Sequence, residues 1–290
     1  MPHIARIRLY PIVALDPVEV PCAAVAPTGR LEFDQRFALL DESGNIVTAA
    51  TCRALLRVRA QYDLAVSTVT LCGLEDSAAE TFHLVRDAER LAAWMSIRLG
   101  INVRLEEYRA ADRTAAGSGN GPTLVTSGTL KEAAAWFPGL SAEEMRRRVR
   151  ANLELGGALA FWEDRLFAQP GYAVRLAVGR VELTGLVPQE CAASFAYDAQ
   201  TGADTPVPVS LEDQKLSERR DVGRPRTPAL AFQQHFMRMR RETLPSFVAQ
   251  ERFKHFYKLG VLTRLEASAA DRTIRIGDRV RILDRRPEGE

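Results

Sequence analysis

Residues 171–183 read GYAVRLAVGRVEL, with apolar and polar side chains alternating on both sides of a Gly-Arg turn. Successive side chains leave a strand on opposite faces, so a period of two marks β structure with one face buried. The same period recurs along the chain. IARIRLY (4–10) puts Ile7 and Leu9 on one face and Arg6 and Arg8 on the other. RFALLDESGNIVTAA (36–50) reads as two strands around a Ser-Gly-Asn turn, LLRVRAQYD (55–63) alternates, and NVRLEEY follows near residue 104. TIRIGDRVRIL (273–283) turns at Gly277-Asp278, with Ile274, Ile276, Val280 and Ile282 facing one way and Arg275, Arg279 and Arg281 the other. This much β structure in short pieces calls for a small barrel or sandwich.

Helical spacing is rarer. Leu84, Ala88, Leu91, Ala92 and Met95 predict a helix over 84–99, with Gly100 where a left-handed cap is expected. TLKEAAAWF reads as a second helix, and Ser141 and Glu144 have capping-box spacing at the start of a third. Residues 228–258 carry Phe232, Phe236 and Met239 at helical spacing, then Phe253, Phe256 and Tyr257. The Gly- and Ser-rich run 110–122 reads as a linker or a loop over a site. The expected fold is α+β and mostly β: a barrel with a smaller N-terminal β subdomain and a few helices. The expected boundaries are 1–80 and 81–290, with a helical insertion near 228–258.

Composition narrows the partners. Apolar residues are 46% and charged residues 26% of 290, as in a soluble globular protein. Lysines and arginines number 39 against 37 acids, which gives no electrostatic reason to expect nucleic acid. No apolar run is long enough to span a bilayer. The four cysteines, at 22, 52, 72 and 191, form no CxxC pair, and the N-terminus lacks the pattern of a secretory signal. A cytoplasmic protein with reduced thiols and a small-molecule substrate is the expectation; the oligomeric state stays open.

Several residues have both a chemical and a plain reading. Arg148 and Arg150, in RRRVRAN, would point to one side of a strand and hold an oxyanion, or else belong to a solvated helix end. Glu163 and Asp164, in ALAFWEDRLF, are candidates for general acid or base, or are paired with Arg165 or a neighbour. Cys191 is a nucleophile, a metal ligand or packing, and Glu190 beside it disfavours a thiolate. The histidines, at 3, 83, 235 and 255, show no ligand spacing, and there is no nucleophile elbow or P-loop.

Taken in order, these segments resemble the MOSC family, which includes amidoxime-reducing components and their bacterial relatives. IARIRLYPIVALDPVEV is similar to the start of the MOSC N-terminal β-barrel, and FDQRFALLDESGNIVTAA to its next hairpin. RRVRANLEL with AFWEDRLF resembles the family's Arg-x-Arg-x-Asn and Phe-x-Glu-Asp segments, YDAQTG its Asp-Pro-x-Thr-Gly turn, and IRIGDRVRIL its closing Gly-Asp segment. The resemblance implies a MOSC-type β-barrel and a pocket for a molybdenum–pterin cofactor, whose metal a cysteine thiolate ligates. It assigns Arg148, Arg150, Asn152, Thr129 and Arg36 to cofactor binding and Cys191 to the metal. The chain also departs from the family. Val13 and Ala14 replace a lysine and a serine, Gln35 replaces an arginine, and Ala49-Ala50 replace the rest of a Thr-x-Arg. Aligned without a gap between Pro188 and Asp198, Ala192 takes the ligand position and Cys191 lies one residue early.

Three readings follow. The chain is a molybdenum oxidoreductase of small N-hydroxylated compounds with Cys191 on the metal. Or it is a MOSC-fold enzyme that has lost molybdenum and acts on a small anionic or N-oxygenated metabolite, using Cys191, Glu163, Asp164 or His235. Or it is a non-catalytic binding or scaffold protein.

Overall fold

In the computed structural model of the chain, the described residues are 1–27, 29–75, 78–107, 121–208, 227–265 and 269–288. The strongly alternating segments build one eight-stranded sheet. Its strands are β1 (His3–Leu9), β2 (Val18–Val20), β9 (Leu124–Thr126), β10 (Leu153–Gly156), β11 (Tyr172–Val178), β12 (Val181–Glu190), β13 (Lys258–Leu265) and β15 (Val280–Pro287). They lie in the order β15-β11-β12-β13-β9-β10-β1-β2. The sheet curls until its ends meet: His3 bridges Arg279, the Ile4 amide donates to the Asp278 carbonyl, and the Val280 amide donates to the Pro2 carbonyl. This closure removes the open edges of a flat sheet and makes a barrel. Ile4, Ile7, Leu153, Leu176, Leu183 and Val261 fill it.

A second cluster belongs to the N-terminal part. It packs β4 (Phe37–Leu40), β5 (Val58–Asp63), β6 (Thr68–Gly73) and β7 (Glu80–His83) with α1 (Ala88–Leu99) and β8 (Arg104–Glu107). Phe37, Leu39, Val69, Phe82, Leu91 and Met95 are buried together there. Helix α1 ends at Gly100, with φ +69°, as its spacing predicts. The third cluster joins α2 (Ser127–Ala135), α3 (Ala142–Val149) and α4 (Pro228–Glu242) through Phe137, Phe195, Phe232, Phe236 and Tyr257.

The mostly β, α+β architecture is as expected, but some local readings are corrected. Only β4 forms within 36–50. The second half returns through a single bridge, Leu40 to Ile46, and β4 pairs with β8 instead. The 3-10 turn Arg53–Arg57 takes the start of 55–63 before β5 begins. TIRIGDRVRIL is not a hairpin. β14 (Thr273–Arg275) pairs with β3 (Cys22–Ala24), while β15 pairs with β11. Gly277, at φ +90°, turns the chain from one sheet to the other. Ile274 and Val280 are therefore buried, whereas Ile276 and Ile282 are exposed. Helix α4 covers only the first part of 228–258; Pro245 bars its continuation, and a 3-10 turn at Gln250–Arg252 leads into β13. Most of the Gly- and Ser-rich run, 110–120, lies outside the described residues.

The 3-10 turn Trp162–Leu166 lies directly on β12, so close that a Cβ on Gly185 would stand 1.7 Å from the Leu166 carbonyl oxygen. Gly185→Ala is expected to cost about 3 kcal/mol through overpacking. Urea unfolding checks it: the midpoint should fall while the slope is unchanged.

Candidate ligand site

A cavity of about 210 Å³ opens beside the third cluster, whose Val149, Phe195 and Leu259 line it. Tyr10, Val13 and Gln35 form one wall, Arg148 to Arg150 with Asn152 a second, and Gln189 to Ala192 with Leu259 a third. Each wall has a local cause. Tyr10 and Val13 directly follow β1. Gln35 sits on a tight loop in which Phe33 and Gln35 both take positive φ, 65° and 51°. Asp34, between them, accepts from the Tyr10 amide at 2.9 Å and from Asn152 Nδ2 at 2.9 Å. Burial raises Asp34 to about 6.

Arg148 and Arg150 do reach one pocket, though not by strand alternation. Ser141 Oγ accepts from the Glu144 amide and starts α3, as the capping spacing predicts. Arg148 lies in the last turn of that helix, and Arg150 caps it in the left-handed conformation at φ 54°, ψ 37°. The strand β10 begins only at Leu153. The two guanidiniums have different surroundings. That of Arg148 is buried and held by Glu144 Oε1 at 2.8 Å, Thr205 Oγ1 at 2.7 Å and the Phe195 carbonyl at 3.3 Å. That of Arg150 lies over the Tyr10 ring, 4.2 Å from its centroid, and donates to the Leu15 carbonyl at 2.8 Å. Among the described residues, no carboxylate pairs with Arg150.

Asn152 borders the cavity but is fully engaged. Its Nδ2 donates to the Arg8 carbonyl and to Asp34, and its Oδ1 accepts from the amide and the hydroxyl of Thr123. Cys191 also borders it, half-buried against the aromatic cluster, and so does the exposed Ala192. The pairing of β12 with β13 shifts between Pro188 and Glu190, and the extra residue lies on β13, where Gly260 takes φ +80°. The irregularity thus precedes Cys191 and adds nothing after it. Burial pushes the Cys191 thiol up, Glu190 adds to the shift, and Arg240 opposes it.

The other sequence candidates lie elsewhere. Arg36 pairs with Glu107 at 2.8 Å on the surface, and its neighbour Gln35 reaches the cavity instead. Thr129 is buried in α2; its Oγ1 bonds Thr126 Oγ1 and accepts from the Phe161 amide at 2.6 Å. His235 is buried in α4, with Nε2 on the Trp136 carbonyl at 2.8 Å and Nδ1 near Arg238. Asp164 makes a two-pronged ion pair with Arg240, at 2.6 and 2.8 Å, both side chains 1% exposed. The Arg240 guanidinium also sits over Phe161 and Phe253. Among the described residues, neither oxygen of buried Glu163 has a hydrogen bond of good geometry. Burial, then repulsion from Asp164, raises its pKa. None of these five side chains lines the cavity. Glu190 does, although the sequence marks it only as a neighbour that disfavours a Cys191 thiolate: its Oε1 meets His255 Nε2 at 3.2 Å and Lys258 Nζ at 3.5 Å. Nothing in the local sequence signals that pairing, because His255 and Lys258 come from the far end of the chain.

Residues 1–113 match the family model described as the MOSC N-terminal beta barrel domain. The first 113 residues are a MOSC N-terminal beta barrel domain, which supports MOSC membership. No curated protein matches it at significance. The MOSC family is associated in general with the molybdenum cofactor, and the cavity of this chain fits that group poorly. Val13 and Gln35, which stand where the family has a lysine and an arginine, are both on the wall. Arg148 is neutralised by Glu144 and Asn152 is spent on the fold. The volume lies below the ~300–1,000 Å³ of sites for drug-sized ligands. Among the described residues, no three potential metal-binding side chains cluster, and no helix is long and apolar enough to cross a membrane.

The buried acids give two expected outcomes. Arg240→Met strands Asp164 without its counter-charge and should cost about 3–5 kcal/mol in chemical unfolding. Adding Asp164→Asn should recover part of that loss. Glu163 has a raised folded pKa, so its proton favours folding below the unfolded value of 4.5, and that stability is lost as pH rises through the folded value. Glu163→Gln should therefore gain on the unmodified protein as pH rises from about 4.5 to about 7, and keep that gain above it. A pH-independent difference would contradict the shift.

Proposed function

We infer that this cavity binds a small anionic or N-oxygenated metabolite through Arg150, and that molybdenum cofactor is not its ligand. One observation carries the reading: among the described residues Arg150 makes no carboxylate ion pair, in a pocket whose other arginine is already neutralised. A guanidinium in a partly closed site favours a planar oxyanion, because two parallel N–H donors match it.

The reaction is left to the pocket's own groups. Glu163, Asp164 and His235 are too far inside the protein to touch a ligand there, which leaves Cys191 and Glu190 as the reactive side chains on the wall. With its thiol pushed up, Cys191 suits contact better than attack. The location that fits this reading is the cytoplasm, where the four unpaired cysteines stay reduced.

Two measurements test it. Protein made in a host that synthesises molybdenum cofactor should carry far less than one molybdenum per chain by elemental mass spectrometry; a stoichiometric metal would restore the oxidoreductase reading, with Cys191 as ligand. Arg150→Met should weaken binding of small carboxylates or phosphate by about 10-fold or more, the value of a charge-assisted hydrogen bond. Calorimetry reads this directly. Unchanged affinity would sink the assignment.

A further inference from the structure

A second groove, of about 530 Å³, runs along an outer face of α4 and shares no lining residue with the first cavity. Its walls are Met237, Arg238, Arg241 and Glu242 of the helix, and Phe256 from the segment that leads into β13. The four helical residues stand at i, i+1, i+4 and i+5, so they share one face. Met237 and Phe256 are half-buried and make an apolar floor. Met237 packs on the aromatic cluster, and Phe256 on the barrel core, where it stacks with Phe253. The groove thus follows the seam between helix and barrel.

The charges over this floor are unbalanced. Arg238 donates from Nη2 to His235 Nδ1 at 2.9 Å, and the Arg241 guanidinium lies over the Phe256 ring, 6.0 Å from its centroid. Among the described residues, neither arginine makes an ion pair with a carboxylate, although Glu242 shares the rim. Helix α3 treats its arginines differently: Arg146 pairs with Glu143 and Glu154, and Arg148 with Glu144. Two like charges one turn apart repel when nothing lies between them. An anion placed there removes the repulsion, and a guanidinium takes an oxyanion on two parallel N–H donors. A purely ionic ligand would leave the floor in water, and a purely apolar one would leave the arginines uncompensated. We propose that this groove binds a small amphiphilic oxyanion, its carboxylate or phosphate head on Arg238 and Arg241 and its apolar body on Met237 and Phe256. The volume lies within the ~300–1,000 Å³ of small-molecule sites. The groove is concave and bounded by five side chains, which suits one molecule and not a bilayer surface. The site is separate from the anion reading of Arg150 and does not rest on it.

The test uses the full chain and calorimetry with octanoate and octyl phosphate, beside acetate, inorganic phosphate and 1-octanol. At least one amphiphile should bind 10-fold or more tighter than its bare head group and than 1-octanol. Arg238→Gln and Arg241→Gln should each weaken that amphiphile at least threefold. Met237→Gln should weaken it without weakening acetate or phosphate, and Arg150→Met should leave it unchanged. Both arginines are exposed, and circular dichroism confirms that the variants fold. If amphiphile and bare head group bind equally, the apolar floor plays no part and the proposal is wrong. Binding that Arg150→Met abolishes and Arg241→Gln spares belongs to the first cavity and also overturns it. A peptide of alternating glutamate and phenylalanine is run in parallel: if it binds and neither amphiphile does, the groove docks a protein segment and the small-ligand assignment fails. If nothing in the panel binds, the assignment fails as well.

Discussion

The pocket depends on one amide. Asn152 sits where helix α3 gives way to strand β10, and its side chain bonds three segments distant in sequence: the Arg8 carbonyl at the end of β1, Asp34 in the strained loop, and Thr123 before β9. Its backbone contributes as well, because the Arg8 amide donates to the Asn152 carbonyl. An amide is one of few side chains that donates and accepts at once. Replacing it with an acid or a base would leave one of these sets unpaired inside the protein. The family pattern marks this residue for the cofactor, yet here its bonding capacity goes to the fold.

The arginines show how charge is apportioned. Arg240 and Arg148 are buried, and each has an acid: Asp164 for one, Glu144 for the other. Burying a charge is tolerable only when a partner and hydrogen bonds offset the lost water. Arg146 is similarly held by Glu154. Arg150 departs from this pattern. Its partners are an aromatic face and a carbonyl, both neutral.

Much of the fold can be read from the sequence, because period-two patterns survive wherever one face is buried. β1, β11, β12 and α1 stand where alternation and caps place them. What alternation cannot give is the partner of a strand. The segment around Gly277 reads as a hairpin by pattern, but its two halves join different sheets. The site was legible in part. Arg148, Arg150, Asn152 and Cys191 do border one cavity, brought there by a helix cap that strand reasoning missed. Thr129, Arg36 and His235 do not, because each finds its partners in its own neighbourhood. Glu190 reads in sequence only as the acid beside Cys191, because its partners His255 and Lys258 are brought near by the fold alone.

The left-handed backbone of Arg150 sets stability against binding. Glycine or asparagine is the comfortable residue at such a helix end, and an arginine there gives up on the order of 1 kcal/mol of folding free energy. Substitutions that make the chain more robust at this position would at the same time erase the cation of the pocket. A chain made more stable at this one position would thus be a chain whose barrel mouth has lost its positive charge.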